Sequence, residues 1–173
     1  MDTPLPSARE RIMDAFLSLL HEKKFADISV TDIAGRAGVS RMAYYRNFAS
    51  KDRILDAFFT RVGNSVHERI AALADAQRPT QYLTGLFAAL QPYCDIGCAV
   101  AEAQMSELIQ KHILKNIQRT FRTDGSAYAR YRQCFLSGAL CQVVLSWVTT
   151  GMRESVEEMA ALCCRMIPPE LWA

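Results

Sequence analysis

The stretch ISVTDIAGRAGVSRMAYYRNFASKDRIL, residues 28–55, predicts two short helices joined by a tight turn. The first helix is expected to begin after Ser29, a good N-cap, and to end at Gly38, which tolerates the positive φ of a tight turn. Ser40 is placed to cap the second helix. Ala34 is small enough to let the two helices cross closely. This spacing is typical of a helix-turn-helix, with an ordinary helical hairpin as the alternative.

Basic side chains are concentrated in the same stretch. Between residues 36 and 53, Asp52 is the one acidic residue, against Arg36, Arg41, Arg46, Lys51 and Arg53. Two tyrosines lie among them. A short helix with such a face fits the major groove of duplex DNA, which is about 12 Å wide. Because the net charge of the whole chain is only +2, the local patch is what indicates a nucleic-acid partner.

This stretch resembles the N-terminal signature of the TetR family of transcriptional regulators, and with the first predicted helix the resemblance covers about residues 7–55. The matching positions are Ile33-Ala34, Ala37-Gly38-Val39-Ser40, Tyr45, Phe48 and Lys51. The resemblance implies an all-α fold: a three-helix DNA-binding domain at residues 1–50, then a helical effector-binding and dimerisation domain at residues 51–173. It also implies that Tyr45 and Lys51 contact phosphates and that Phe48 packs in the core.

Two positions depart from the family pattern. Ala43 stands where threonine is common, and Asn47 stands where histidine or tyrosine is common. Ala43 cannot donate a hydrogen bond, although its methyl group can touch a thymine methyl, and Asn47 can still reach a phosphate. The residues that we predict to contact DNA are Thr31, Ser40, Arg41, Met42, Ala43, Tyr44, Tyr45, Arg46, Asn47 and Lys51.

The rest of the sequence argues against an enzyme, a cofactor or a resident metal. The three histidines lie far apart, and there is no glycine-rich phosphate loop, nucleophile elbow or HExxH motif. No signal-like segment stands at the start, and the longest apolar stretch, residues 134–148, is shorter than the roughly 20 residues of a membrane span. We therefore expect a cytoplasmic protein with no membrane partner, whose six cysteines are reduced.

Apolar residues recur at helical spacing through most of the chain, which predicts helices and no strands. Residues 92–97 are expected to form a loop. A long helix at about residues 126–150 is apolar nearly all round between residues 134 and 148, and so needs burial on every face. We predict a homodimer in which this helix and the last helix, about residues 155–167, pair with their symmetry mates. A core helix inside a monomer is the alternative.

The C-terminal half also offers candidates for an effector pocket, because aromatic and methionine side chains stand there among apolar ones. They are Met105, Tyr128, Tyr131, Phe135 and Trp147, and the alternative is that they simply fill the core. The predicted function is a repressor that binds a palindromic operator as a dimer and is released by a small-molecule effector. The alternatives are a thiol- or metal-responsive regulator using Cys94 and Cys98, and an architectural DNA-binding protein with no effector.

Overall fold

The computed structural model describes residues 6–71, 79–121 and 124–171, and these residues form helices and turns without a β-strand. The predicted all-α fold is therefore confirmed. In chain order the helices are α1 (Ala8–Leu20), α2 (Val30–Ala37), α3 (Arg41–Asn47), α4 (Lys51–Ala71), α5 (Pro79–Leu90), α6 (Cys94–Glu102), α7 (Ser106–Thr120), α8 (Ala127–Thr149) and α9 (Val156–Met166). Short 3-10 turns lie at Phe25–Asp27, Gln91–Tyr93 and Pro169–Leu171.

The chain divides into two compact units, Met1–Phe58 and Phe59–Ala173. The division falls within α4, which starts at Lys51 in the first unit and continues into the second. The domain boundary that we placed at residue 50 lies at the start of this helix and stays a prediction.

Local signals define the helices of the first unit. Ser7 and Ser29 each form a capping box with the acidic residue three positions on, in which the serine hydroxyl and the carboxylate each accept a backbone N–H bond. α2 ends at Gly38, whose φ of 62° lies in the left-handed region that favours glycine. The fully buried core side chains of this unit include Ile12, Phe16, Ile33 and Tyr44.

In the second unit α8 packs against α6 and α7, while α5 packs against α9. α6 and α8 approach closely at Gly97, where a Cβ atom would lie 2.7 Å from Cγ1 of Val148. Because α6 begins at Cys94, the loop predicted at residues 92–97 is wrong for most of that segment. Pro92 lies just before the helix in a 3-10 turn, where its missing N–H interrupts no α-helical hydrogen bond.

Among the described residues one stretch, Pro79–Glu102, is long and apolar enough to cross a membrane by length and composition alone. A single stretch of this kind is weak support for a span, because core helices pass the same test. Here a 3-10 turn at Gln91–Tyr93 interrupts the stretch, and Tyr82, Leu83 and Phe87 are fully buried in the second unit. The stretch is therefore best described as a core segment of that unit.

Candidate nucleic-acid interface and ligand cavity

The exposed face of α3 carries four of the ten side chains predicted to contact DNA. Ser40 caps this helix, because its Oγ accepts a hydrogen bond from the N–H of Ala43 at 3.1 Å. Exposed side chains then fall together on one face, at Arg41, Met42, Tyr45 and Arg46. Met42 is 75% exposed and Tyr45 is 51% exposed. Large apolar and aromatic side chains grouped on a charged surface are typical of a binding face.

Tyr44 does not belong to this face. Its side chain is fully buried in the first unit, and its ring meets that of Tyr45 edge-on with 5.2 Å between centroids. Burial raises the pKa of the Tyr44 hydroxyl, with smaller contributions from Tyr45 and Asp52. The expectation that Tyr44 reaches DNA from the exposed face is therefore corrected, and it is a core residue. It shares the inner face with Phe48, four residues on, which is buried as predicted.

The ammonium group of Lys51 is bound to the backbone of its own domain. Its Nζ donates to the carbonyl oxygens of Phe25 at 2.7 Å and Ile28 at 2.8 Å, and lies 3.4 Å from that of Ala26. Nζ also lies 4.7 Å from the centroid of the Phe25 ring. Lys51 therefore ties the start of α4 to the turn that leads into α2. The phosphate contact that the family resemblance implies for Lys51 stays a prediction.

The other predicted contact residues differ in how free their side chains are. Thr31 is exposed in the first turn of α2, and Ala43 is half-buried. Asn47 is also half-buried, and its Nδ2 donates to the carbonyl oxygen of Ala43 at 2.8 Å, so its amide nitrogen already has a partner. The second N–H of this amide and its oxygen remain for a contact of Asn47 with DNA.

The positive charge of the face comes from fewer residues than the sequence offers. Arg36 forms a two-point ion pair with Glu22, at 2.7 and 2.8 Å, and donates to Oγ of Ser18 at 2.8 Å. Its charge is thus used to hold α2 against α1. Arg41 and Arg46 remain exposed on α3 and supply the charge that faces outward.

Three of the five predicted pocket residues lie on the surface of the second unit. Tyr128, Tyr131 and Phe135 form an exposed stripe on α8, and they are 62%, 66% and 62% exposed. Their spacing of three and four residues places them on one side of the helix. They therefore form an outward-facing aromatic surface.

The other two predicted pocket residues lie apart from this stripe. Trp147 follows Phe135 along α8 by about 18 Å of helical rise. It is buried, its Nε1 donates to the carbonyl oxygen of Glu154 at 3.0 Å, and its ring meets that of Phe87 edge-on. Met105 is half-buried just before α7. The structure thus does not bring the five residues together.

A cavity of about 30 Å³ lies elsewhere in the second unit, between α4, α5 and α7. Its lining is apolar except for His112 and Asn116, and the apolar side chains include Phe59, Val62, Leu86 and Ile109. Sequence reasoning missed this site. The signal that could have identified it is Asn116 itself, a polar residue beside Ile113 and Ile117 in the apolar stripe of α7.

Asn116 is only 4% exposed. Its Nδ2 donates to the carbonyl oxygen of Gly63 on α4 at 2.8 Å. Its Oδ1 is buried and has no hydrogen-bond partner in the described parts of the chain. Such a buried oxygen can accept a hydrogen bond from a bound molecule.

The thiol alternative finds little support in the surroundings of Cys94 and Cys98. Their Sγ atoms face the carbonyl oxygen of Val148, at 3.8 and 3.6 Å. Burial raises the pKa of the Cys98 thiol, with a smaller contribution from Cys94, which disfavours the reactive thiolate. Across residues 6–71, 79–121 and 124–171, no three His, Cys, Asp or Glu side chains are grouped so as to hold a metal ion.

Comparisons with known proteins agree with this arrangement. Residues 12–58 match the family described as "Bacterial regulatory proteins, tetR family", and residues 93–169 match a family described as "Transcriptional regulator C-terminal region". The HTH-type transcriptional regulator EthR of Mycobacterium tuberculosis is 35% identical over 91 residues, which are 49% of this chain and 42% of EthR. The match thus spans less than half the length of that curated relative.

Solved structures resemble the whole chain at low sequence identity and so support the fold alone. The dihydroxyacetone kinase operon activator DhaS gives a TM-score of 0.64 at 16% identity, covering 92% of this chain and 93% of DhaS. The TetR family repressor AlkX of Dietzia sp. gives 0.60 at 15% identity, covering 95% of both chains. With two family matches that together span most of its length, the chain belongs to the TetR family of bacterial transcriptional regulators, which are not enzymes.

Proposed function

We propose that this chain binds duplex DNA with α3 in the major groove and thereby regulates transcription. The observation that carries the proposal is the exposed face of α3, where Arg41, Met42, Tyr45 and Arg46 stand together. The arginines suit phosphates or the acceptor edge of guanine, and Met42 offers an apolar surface to thymine methyl groups. Such a protein acts in the cytoplasm, where bacterial DNA lies.

Phosphate contacts are proposed at the edges of this face. Thr31 and Ser40 lie at the starts of α2 and α3, where free backbone N–H groups and the helix dipole attract anions. The Tyr45 hydroxyl extends from the exposed side of α3 and can donate to a phosphate oxygen. Contacts of this kind fix the position of the helix, while Arg41, Met42, Ala43 and Arg46 read the base edges.

We propose further that the protein is a homodimer that pairs through α8 and α9. Apart from Met42 and Tyr45, the exposed large apolar side chains of the described residues are all on these two helices: Tyr128, Tyr131, Phe135, Leu162 and Met166. A surface of this kind is stabilised by a second copy. The dimer presents two α3 helices to half-sites about 34–36 Å apart on a palindromic operator.

The cavity between α4, α5 and α7 is the proposed effector site. α4 carries cavity-lining residues such as Phe59 and Val62, and the same helix begins at Lys51 beside α3. A ligand that enlarges the cavity displaces α4, and the displacement alters the placement of the recognition helices. We therefore propose a repressor that its effector releases. A shift from 1:99 to 99:1 requires about 5.5 kcal/mol of differential ligand affinity between the two states.

Selection of duplexes from a random pool tests the DNA-binding proposal. The wild-type protein is expected to enrich a palindrome, because two symmetry-related helices read two half-sites. An Arg41→Ala/Arg46→Ala double variant, whose changes are exposed and leave the core intact, should enrich no sequence. Enrichment of the same palindrome by the double variant would show that another surface reads the DNA.

A further inference from the structure

The cavity in the second unit holds one polar atom whose bonding is incomplete. Asn116 lines the cavity and is 4% exposed, and its Oδ1 has no hydrogen-bond partner within the described residues. Leaving a buried acceptor unsatisfied costs a folded protein roughly 1–3 kcal/mol. Because Oδ1 has almost no accessible surface in the ligand-free protein, a bound molecule can donate a hydrogen bond to it only when the cavity widens.

The orientation of the Asn116 amide is fixed by its other bond. The carbonyl oxygen of Gly63 lies 2.8 Å from Nδ2 and can only accept, so the nitrogen rather than the oxygen must face it. Oδ1 is therefore the amide atom without a partner in the described residues, and it acts only as an acceptor.

The remainder of the lining restricts the charge of the ligand. None of the ten lining residues is Asp, Glu, Lys or Arg. His112 is the one titratable residue, and its ring lies 5.8 Å from that of Phe59, centroid to centroid. A cationic ligand would lose its hydration without gaining a negative charge, and an anionic ligand would find no positive charge other than that of a protonated His112, which disfavours both.

We propose that the effector is an uncharged, mainly apolar molecule that donates one hydrogen bond, from a hydroxyl or N–H group, to Oδ1 of Asn116. This inference rests on the proposed effector site and specifies the chemistry that the site accepts. The ligand-free cavity of about 30 Å³ has room for only one or two water molecules, so a ligand must widen it. Widening shifts α4 and α7 relative to α5, because the bond between Asn116 and Gly63 holds α4 and α7 together.

Three toluenes that differ in the para substituent test this chemistry on the full chain without DNA. p-Cresol and p-fluorotoluene match in size, and p-toluate is slightly larger. p-Cresol carries a hydroxyl donor, p-fluorotoluene replaces it with fluorine, and p-toluate replaces it with a carboxylate. Binding is measured by calorimetry and by ligand-detected NMR, at concentrations up to the millimolar range expected for molecules of this size. We expect p-cresol to bind about ten-fold more tightly than p-fluorotoluene, the usual worth of a hydrogen bond to a buried partner, and p-toluate not to bind.

Two variants test whether Asn116 causes the preference for p-cresol over p-fluorotoluene. Asn116→Ala removes the acceptor without adding volume to the cavity, so the preference for p-cresol over p-fluorotoluene should disappear. Gln118→Ala makes a similar change at an exposed position of α7 and should keep the preference. If Asn116→Ala does not fold, the wild-type comparison still decides. Equal binding of p-cresol and p-fluorotoluene, binding of p-toluate, or no binding of p-cresol would overturn the inference.

Operator affinity, measured with and without p-cresol, distinguishes a failure of the proposed ligand chemistry from a failure of the proposed function. p-Cresol that binds with the expected preference but leaves operator affinity unchanged would support the site and contradict release by its occupation. Absence of the preference, with operator binding intact, would contradict only the ligand chemistry.

Discussion

Replacing Lys51 with methionine distinguishes two roles for this residue. In the structure the ammonium donates at 2.7 and 2.8 Å to two carbonyl oxygens of the turn before α2, and a third lies at 3.4 Å. Methionine keeps the length of the side chain and loses the charge. Because each hydrogen bond to a charged group is worth about 1.5–3 kcal/mol and these carbonyls can be rehydrated, we expect unfolding free energy to fall by about 1–2 kcal/mol.

The salt dependence of DNA binding shows which role matters in the complex. A phosphate contact contributes about 0.9 to the slope of log affinity against log salt, so two contacts in a dimer contribute about 1.8. If Lys51 holds the turn, Lys51→Met weakens binding to every sequence alike and leaves this slope unchanged. Fluorescence anisotropy with the selected duplex at a series of salt concentrations measures this slope.

Arg53→Met is the matched control, because Arg53 is an exposed cation in the same first turn of α4. Its loss should leave the thermal stability unchanged. A Lys51→Met protein that melts like the wild type and binds with a slope lowered by nearly 2 would refute the structural role and establish the phosphate contact.

Three further predictions concern the dimer, the turn and the response to acid. Tyr131→Glu places a charge on the exposed stripe of α8 and should give monomers in sedimentation. Gln118→Glu on α7 should leave the wild-type assembly unchanged. A dimeric Tyr131→Glu protein would place the interface elsewhere. Gly38→Ala should lower the free energy of urea unfolding by about 1 kcal/mol, because alanine is strained at this φ. Gly35→Ala, with open space around its Cβ, should not lower it. Equal losses would show that the positive φ of Gly38 does not cause the destabilisation. The pKa of Asp32 is lowered to about 2, first by hydrogen bonds from the backbone and side chain of Ser29 and then by Lys23. The stability that ionised Asp32 contributes is therefore complete above the ordinary carboxyl pKa and is lost as pH falls toward 2. The melting temperatures of the wild type and Asp32→Asn should converge over that range. A constant difference would contradict a stabilising role for the Asp32 carboxylate.

The helix-turn-helix could be predicted from sequence because its signals are local. The caps at Ser29 and Ser40 and the left-handed Gly38 act within a few residues of their own helices. The inner and outer faces of α3 were harder to separate. Tyr44 and Tyr45 are neighbours of the same type, and only the packing of the first unit shows that Tyr44 is buried and Tyr45 exposed.

The cavity between α4, α5 and α7 could not be predicted because it depends on contacts between distant segments. Its polar feature joins Asn116 to Gly63, on helices that are far apart in sequence. Aromatic residues on an exposed stripe of a helix give the same sequence pattern as residues that line a pocket, so the sequence alone does not separate Tyr131 and Phe135 from pocket residues. The first turn of α6, residues 94–97, was expected to be a loop because proline and glycine usually end helices, whereas Gly97 here allows close contact with Val148.

The central claim is that two copies of α3, held by a dimer, read two half-sites of one operator. The most direct test compares the affinity of the selected palindrome with that of the same duplex carrying five extra base pairs at its centre. This insertion turns one half-site to the opposite side of the DNA, beyond the reach of the second helix. We predict a loss of affinity of at least about 100-fold, as expected when one half of the specific contacts is lost. Equal affinity for the two duplexes would contradict the account.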